Sequence, residues 1–568
     1  MPLPDAHDKY GALLEERTAA ALADPAAQDL PLVEVLGEDG RTAARYTYRQ
    51  MGCATAALRS LLDRWPARGE RLKVGVAMGN TPEFLVADLA LLQHRATEVP
   101  VPLAFSPEQA AGLLEDIDVV LTDQAGWERL AQWSAETPVI PADCGHLLVD
   151  IEELLDAPAP AHFLPAAPAA PAAPASPAPE SAVPAHAAPP AARPDWICKV
   201  IHTSGTTSRP KGVRIRSAGV NALVDSLHQE MPAGSYTRYL SLVPFSLLIE
   251  QVTAVYLVLA DRGTVVLLPP SAPLVGTSAT APQRVLPYLA AAAPSALVVT
   301  PALAEVLAAE AERLAVDQGA GQRAAAEALF GRSPAPLICC GGAPVTPQVL
   351  HRLEAHGMPV HEGYGLSENS SVVCWNTPTA RRIGTVGRPL PHVTVRLAHD
   401  GELLVRSASL FAGYSRTDPS SCALDEDGWL HTGDLATIDD DGFVRIVGRK
   451  KNVIITASGR NVAPEWVEAS YTTLPFVRAV AVSGDGLTAL QGLFLVEPGT
   501  DPAEAEREIA AHGERHLSIV ERVQEPTVFV ADEDLYLRFF TVTGRPRRPV
   551  IAAFLAEPAV PDRMPVAV

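Results

Sequence analysis

The sequence IHTSGTTSRPKG, from Ile201 to Gly212, follows a short apolar run and combines hydroxyl side chains, two glycines and a lysine. Glycine lets backbone N–H groups approach an anion closely, and hydroxyls add donors that rotate toward it. Lys211 adds a point charge suited to a phosphate. The run differs from the G-x-x-x-x-G-K-[ST] loop because Pro210, and not a glycine, precedes Lys211. It therefore predicts a phosphate-binding loop, with a Ser/Thr/Gly surface turn as the alternative.

Length and charge restrict the class of protein. A chain of 568 residues is too long for one ordinary hydrophobic core, so two or more domains are expected. The formal net charge of −21 argues against a nucleic-acid partner and against docking on anionic membranes. A protein this acidic must concentrate positive charge locally wherever it binds a phosphate.

Cysteines and targeting signals indicate the compartment. The seven cysteines are scattered and form no C-x-x-C pair, which predicts reduced core residues and no cysteine–histidine metal cage. The N-terminal MPLPDAHDK lacks a basic start followed by an apolar run, and no charge-free apolar run reaches membrane-spanning length. We expect a cytoplasmic protein without an integral membrane segment.

The first 150 residues alternate helical and strand patterns. A helix is predicted from Tyr48 to Leu62, a strand over Val119–Thr122, and a helix that starts at Pro82 with Thr81 as its N-cap. Such alternation predicts an α/β fold whose mostly parallel sheets are flanked by helices. Residues 157–193 are almost entirely alanine and proline, which predicts a disordered insertion.

Five further motifs follow the Ser/Thr/Gly run in order: GGAP at Gly341–Pro344, EGYGLSE at Glu362–Glu368, HTGD at His431–Asp434, GRKKN at Gly448–Asn452 and TGR at Thr543–Arg545. Their order closely resembles the acyl-adenylate-forming superfamily, which includes acyl-CoA synthetases, peptide-synthetase adenylation domains and luciferases. The run NVAPE at Asn461–Glu465 looks most like the long-chain fatty acyl-CoA synthetase branch.

The resemblance implies two domains with a hinge between them. Residues 1–448 would form a large adenylation domain that contains the 157–193 insertion, and residues 449–568 a small mobile α+β lid domain. Lys451 occupies the hinge position. The family rotates its small domain about this hinge between two reaction steps, so that each step has its own arrangement of the site.

The resemblance also implies a role for each motif. ATP, with Mg²⁺ as metal, would lie against Thr203, Ser204, Gly205, Thr207, Gly342, Ala343, Pro344, Glu362, Gly363, Tyr364, Gly365, Ser367, Asp434, Ile446 and Arg449. Tyr364 would stack on adenine, Asp434 would accept hydrogen bonds from the ribose, and Glu368 with Thr206 would hold the metal. The catalytic residues would be Thr206, Lys211, Glu368 and Arg545. Leu247, Leu248 and Gly387 would border the substrate.

Three positions depart from the family pattern. Leu247 stands where many members have histidine, and Ser458 replaces the first glycine of a pair that borders the pantetheine tunnel in relatives. Arg545 replaces the lysine that bridges the acyl carboxylate and the α-phosphate. Arginine keeps the positive charge but presents a planar fork of donors, so this exchange is not conservative.

The resulting hypothesis is an ATP-dependent ligase that forms acyl-AMP from a carboxylic acid, releases pyrophosphate and passes the acyl group to a thiol, with CoA as the second substrate. One alternative keeps the first step but activates another oxyanion such as nitrite, or delivers the product to an amine or a carrier protein in a specialised pathway. A further alternative is a non-catalytic nucleotide-binding relative.

Overall fold

The computed structural model describes residues 14–136, 138–156, 195–203, 211–275, 282–318, 321–415, 424–541 and 544–556. The predicted insertion at 157–193 lies outside these residues. Among the helices that the structure describes, none combines the length and the apolar character needed to cross a bilayer.

Two sheets of mostly parallel strands carry the first part of the chain. The larger one has nine strands in the spatial order Arg388–Pro389, Cys374–Trp375, Val360–Tyr364, Leu337–Cys340, Ala296–Val299, Arg238–Ser241, Thr264–Leu267, Pro31–Leu36 and Thr42–Thr47. The smaller one has six, in the order Gly145–Leu148, Val119–Thr122, Lys73–Ala77, Thr97–Pro100, Ile197–Thr203 and Lys211–Arg216. Antiparallel pairing occurs only near the edges of these two sheets as described. The predicted α/β class with mostly parallel sheets is confirmed.

Helices cover the sheets because their apolar faces and the sheet faces bury each other. They span Leu14–Leu22, Tyr48–Leu62, Pro82–His94, Pro107–Leu114, Gln124–Glu136, Ile151–Asp156, Ser217–Glu230, Leu248–Glu250, Val258–Ala260, Leu286–Ala292, Pro301–Gln318, Gln322–Phe330 and Pro347–Ala355. Short 3₁₀ turns span Pro282–Val285 and Ser367–Asn369, and a π-helix spans Gln251–Leu257.

Two of the predicted helix starts are present, with one difference in mechanism. The helix Tyr48–Leu62 has the predicted bounds and begins with a capping box between Thr47 and Gln50. Pro82 is the first residue of its helix and Thr81 the N-cap, but the Thr81 side chain makes no capping hydrogen bond. Its hydroxyl donates instead to Asp123 Oδ2 at 3.2 Å. The hydroxyl therefore bonds to a residue distant in sequence and does not accept from a backbone N–H of its own helix.

A third sheet was not predicted from the sequence. It is an antiparallel meander of the strands Val393–Leu397, Glu402–Ser407, Leu430–Ile438 and Val444–Arg449. Gly401 and Gly442, both with positive φ, lie in the turns that join the first two and the last two strands. The meander ends at Arg449, next to the predicted hinge.

The residues after Arg449 build a separate α+β unit. Its strands are Ile454–Ile455, Asn461–Val462, Val477–Ser483, Leu490–Val496 and Val523–Val530, and its helices are Pro464–Tyr471, Pro502–His516, Glu533–Phe539 and Arg548–Ala556. Two hydrophobic clusters of its own hold it together, one around Tyr471 and Phe494 and the other around Phe539 and Phe540. Arg548 adds a two-pronged ion pair to the buried Glu468, with both N–O distances 2.8 Å.

Candidate active site

A cleft of about 420 Å³ lies where the meander meets the first residues of the small unit. Its lining consists of Leu366, Glu368, Glu402, Tyr414, Leu430, His431, Thr432, Gly433, Arg449, Lys450 and Lys451. Glu368 from the EGYGLSE motif and Arg449 and Lys451 from the GRKKN motif therefore meet in one cavity. The cleft is the candidate active site.

Asp434 is buried beside this cleft with both carboxylate oxygens engaged. The Tyr364 hydroxyl donates to Oδ2 at 2.5 Å, and Arg449 Nε lies 2.7 Å from Oδ1. Asp434 and Arg449 are directly opposite each other on neighbouring antiparallel strands, so the meander itself sets this pair. Burial raises the pKa of Asp434, while the charge of Arg449 and the Tyr364 hydrogen bond oppose that rise.

The backbone around Tyr364 forms the side of the site where the resemblance places adenine. The strand Val360–Tyr364 pairs with Leu337–Cys340, so the turn of Gly342, Ala343 and Pro344 follows right beside it. A Cβ on Gly365 would lie 1.5 Å from the Ser371 carbonyl oxygen, so only glycine fits there. Burial raises the pKa of the neighbouring Glu362 to about 8, with Arg381 opposing. Gly363 and Ser367 lie on either side of this bend.

Glu368 faces a tyrosine that the sequence analysis did not single out. The Tyr414 hydroxyl donates to Glu368 Oε1 at 2.8 Å, and Lys211 Nζ lies 5.4 Å from the centre of the Tyr414 ring. Tyr414 thus connects Lys211, predicted to bind phosphate, with the predicted metal ligand. A tyrosine after a glycine is common in any sequence, and the fold alone reveals this contact.

Among the described residues, five cations gather at or beside the cleft: Arg449, Lys450 and Lys451 line it, and Lys211 and Arg545 lie nearby. Desolvation lowers the pKa of Lys451, and the charges of Arg449, Arg545 and Lys211 lower it further. The pKa of Arg545 is lowered by desolvation and by Arg449, whereas Asp434 and Glu368 oppose this. Arg545 reaches these groups from a tight turn of the small unit, in which its backbone N–H donates to the Thr541 hydroxyl at 3.0 Å. The expected local concentration of positive charge is present.

The predicted substrate-bordering residues do not line this cleft. Leu247 is 38% exposed and Leu248 is buried at the start of the helix Leu248–Glu250. Gly387 has a positive φ and packs against the Trp375 backbone. Ile446, predicted to contact ATP, pairs with Ala436 in the meander and packs against the main core.

Part of the predicted phosphate loop lies outside the described residues. Ser204, Gly205, Thr206 and Thr207 belong to that part, and Thr203 is described only as the last residue of its strand. Lys211, on the far side of the run, begins the strand Lys211–Arg216, which pairs antiparallel with Ile197–Thr203. The roles of the four residues remain predictions.

His361, next to Glu362, gives a prediction for stability. Burial lowers the pKa of His361 to about 4. The unfolded chain, with an ordinary pKa near 6.5, therefore binds a proton that the folded chain does not bind between pH 6.5 and 4, so stability is lost as the pH falls through this window. We expect His361→Asn, which can keep the bond to the Asn376 carbonyl oxygen, to reduce this loss by about 2 kcal/mol between pH 7 and 5. Urea unfolding at both pH values measures this change in the free energy of unfolding. His399→Gln, at an exposed position, is the control. Equal losses of stability between pH 7 and 5 in wild type and His361→Asn would contradict the prediction.

Known proteins of similar sequence are named as CoA ligases or acyl-CoA synthetases. Residues 23–415 match the family described as AMP-binding enzyme. Long-chain-fatty-acid–CoA ligase FadD15 of Mycobacterium tuberculosis is 30% identical over 454 residues, which cover 73% of this chain and 71% of that protein. Peroxisomal long chain acyl-CoA synthetase 6 of Arabidopsis thaliana is 26% identical over 505 residues, which cover 80% and 68% of the two chains.

Solved structures show the same fold at lower identity. The anthranilate CoA ligase AuaEII in complex with anthranoyl-AMP superposes with a TM-score of 0.74 at 17% identity, covering 97% of this chain and 99% of that one. The amide bond synthetase McbA from Marinactinospora thermotolerans gives a TM-score of 0.66 at 21% identity, covering 95% and 99%. At these identities the likeness concerns the fold.

Proposed function

Because this chain belongs to the AMP-binding enzyme family and is an AMP-forming, acyl-CoA synthetase-like ligase, we propose that it joins a carboxylic acid to the thiol of CoA through an acyl-AMP intermediate. The observation that carries the proposal is that Glu368 and Arg449 line one cleft and that Asp434 pairs with Arg449 beside it. A fatty acid is the first acid to test, since the relatives of similar sequence are named for fatty acids.

Nucleotide binding begins with an exchange of hydrogen bonds at Asp434. The ribose hydroxyls would donate to the carboxylate oxygens that now accept from Tyr364 and Arg449. Tyr364, released from Asp434, would offer its ring face to adenine, and Arg449 would turn to the phosphates. The meander keeps Asp434 and Arg449 opposite each other throughout, while Tyr364 faces Asp434 from the end of the strand Val360–Tyr364.

Glu368 fits the role of a magnesium ligand. Mg²⁺ is usually held by one or two carboxylates together with substrate phosphates, so the site does not need a cage of protein ligands. Oε1 accepts the Tyr414 hydroxyl, which orients the carboxylate and leaves acceptor capacity for a metal. Glu368, with Thr206 as second ligand, would hold the ion, which would neutralise part of the phosphate charge.

The chemistry then needs positive charge at the reacting phosphate. A carboxylate oxygen of the acid attacks the α-phosphorus in line, a new P–O bond forms, and pyrophosphate leaves with the electrons of the broken bond. Arg545 and Lys211 would stabilise the charge that develops, which is usually the largest catalytic contribution. Positive charges on Arg449 and Lys451 complete the electrostatic environment.

The second step breaks the acyl–phosphate bond. The thiol of CoA attacks the acyl carbon, a thioester forms and AMP leaves. For this step we propose that the small unit rotates about Lys451 and withdraws Arg545, since one arrangement cannot serve both reactions equally well.

The deciding experiment is pyrophosphate release from ATP with fatty, aryl and amino acids and with nitrite, each with and without CoA. Release with one class of acid that CoA stimulates supports the proposal. Release that ignores CoA but requires an amine or a carrier protein indicates the alternative acceptors, and release with nitrite and an aryl amine a diazotising enzyme. Tight ATP binding without AMP formation indicates a non-catalytic relative.

Asp434→Ala tests the ribose contact. We expect KM for ATP to rise about 10- to 100-fold, because two hydrogen bonds to a charged acceptor are lost. The matched control is Asp439→Asn. Asp439 is an exposed carboxylate that pairs with Arg382, and it lies in the hairpin turn after the strand Leu430–Ile438, which also carries Asp434. An unchanged KM for ATP in Asp434→Ala would remove the ribose role.

A further inference from the structure

A lysine without solvent exposure lies on the strand Ile197–Thr203, the last but one of the smaller sheet. The Lys199 ammonium is paired with Asp88 and Glu98, and the three side chains are 0%, 0% and 2% exposed. Removing such groups from water is costly, and well-packed apolar side chains would stabilise a sheet equally well. The adenylation mechanism uses none of the three. Their placement therefore calls for a role other than stability.

Contacts lead from this cluster to the segment that follows the strand Arg238–Ser241 of the larger sheet. Lys199 and Glu98 are direct neighbours on the parallel strands Ile197–Thr203 and Thr97–Pro100. Glu98 Oε1 accepts a hydrogen bond from Gln251 Nε2 at 3.2 Å, and the same amide donates to the Phe245 carbonyl oxygen at 2.7 Å. Gln251 is the first residue of the π-helix, a geometry that often marks functional sites.

The far end of this path is the turn formed by residues 243–248. Asn80 holds it from the other side, accepting from the Phe245 N–H at 2.9 Å and donating to the Val243 carbonyl oxygen at 2.7 Å. The Phe245 ring stacks on Phe84 with centroids 4.9 Å apart. The turn thus has three fixed points, and it carries Leu247, which the resemblance places at the substrate.

We propose that the buried path from Lys199 through Glu98 and Gln251 to the Phe245 carbonyl is a positioning device for adenylation. It holds the turn of residues 243–248 in register with the strand that leads into the Ser/Thr/Gly run. The inference rests on the proposed function in one respect: it assumes that the acid lies at this turn and ATP beyond that strand.

The geometry explains why the path is polar. Lys199 lies four residues before the end of its strand, about 13 Å from Thr203 at the usual rise per residue. Apolar packing tolerates sliding of neighbouring elements, whereas hydrogen bonds fix direction and register. A displacement of about 1 Å between two reactants lowers a rate steeply, so a fixed register between the two sides of the site matters for the reaction.

Gln251→Met tests the path at its uncharged member, which links Glu98 to the Phe245 carbonyl oxygen. The variant keeps the length of the side chain and the ion cluster but loses both hydrogen bonds. We expect KM for the acid to rise about tenfold and KM for ATP to change less than twofold. The matched control is Tyr256→Phe in the same π-helix, which removes a buried hydrogen bond of 2.9 Å to Asp88 and leaves both hydrogen bonds of Gln251 in place. Equal effects of the two variants, or an unchanged KM for the acid in Gln251→Met, would overturn the inference.

Hydrogen–deuterium exchange of the full chain tests the path without any substrate. In Gln251→Met and in Lys199→Met we expect the amides of residues 243–250 to exchange about tenfold faster than in wild type, relative to the buried strand Val119–Thr122. Tyr256→Phe should resemble wild type. Faster exchange confined to the neighbours of Lys199 would overturn the inference. If Lys199→Met does not fold, the exchange of residues 243–250 in Gln251→Met decides the test alone. Absence of pyrophosphate release in wild type would refute the proposed function and leave this readout intact.

Discussion

Replacing Arg545 with alanine is expected to lower the rate of pyrophosphate release by about a thousandfold, because removal of one group that stabilises developing charge in the transition state costs up to that much. Arg545 is the group that the small unit brings toward Asp434 and Glu368. Transfer of the acyl group from preformed acyl-AMP to CoA should change little, because the proposed rotation withdraws Arg545 in that step. Measuring the two half-reactions separately shows the split.

Two further variants isolate the reason for the effect. Arg547→Ala removes an exposed cation from the same turn and should leave both half-reactions near wild type. Arg545→Lys keeps the charge but not the planar fork of donors. Because a lysine cannot donate two parallel hydrogen bonds to the oxyanion, we expect the rate of pyrophosphate release to fall about tenfold. Equal losses in Arg545→Ala and Arg547→Ala would show that only the net charge of the turn matters, and would remove the catalytic assignment.

Glu368→Gln is expected to reduce pyrophosphate release by about a hundredfold and to raise the Mg²⁺ concentration for half-maximal rate more than tenfold. The amide preserves the shape and can still accept the Tyr414 hydroxyl, but it lacks the negative charge that a hard cation prefers. Titration with Mg²⁺ at saturating ATP separates the metal effect from a loss of nucleotide affinity.

Tyr414→Phe provides the graded comparison. It leaves the carboxylate charged but removes the hydrogen bond that orients it, and second contacts of this kind commonly account for 10- to 100-fold in metal affinity or activity. Its loss should therefore be smaller than that of Glu368→Gln. Full pyrophosphate release in Glu368→Gln would end the assignment of Glu368 as a metal ligand.

The sequence predicted the parts of this fold that depend on local pattern. The helix Tyr48–Leu62 and the strand Val119–Thr122 have the predicted bounds, because a capping box marks the first and four consecutive buried residues mark the second. The α/β class followed from the alternation of such segments. The motif order led to the family, and the motifs supplied Glu368, Asp434 and Arg449 as candidates before any distance was available.

Other features depend on contacts between distant segments. The antiparallel meander was missed because the pairing of its strands depends on turns that resemble ordinary loops. Tyr414 and Lys199 were missed for a related reason. A tyrosine and a lysine show no local sign that one will donate to Glu368, 46 residues away, or that the other will be buried between Asp88 and Glu98. Partners of this kind become visible only when the chain is folded.

Both carboxylate oxygens of Asp434 already have a partner, and this affects how strongly the protein would discriminate between ribose and deoxyribose. A buried carboxylate that waits unpaired for a ribose strongly rejects a nucleotide lacking a hydroxyl, since one oxygen then stays unsatisfied. Here Arg449 pairs with one oxygen through Nε, so its other N–H groups can turn to the phosphates while that pair persists and the carboxylate keeps a partner. With Asp434 as the ribose contact, 2′-deoxy-ATP forfeits one hydrogen bond without leaving an orphaned charge. The protein should therefore accept deoxyribonucleotides with only a modest penalty.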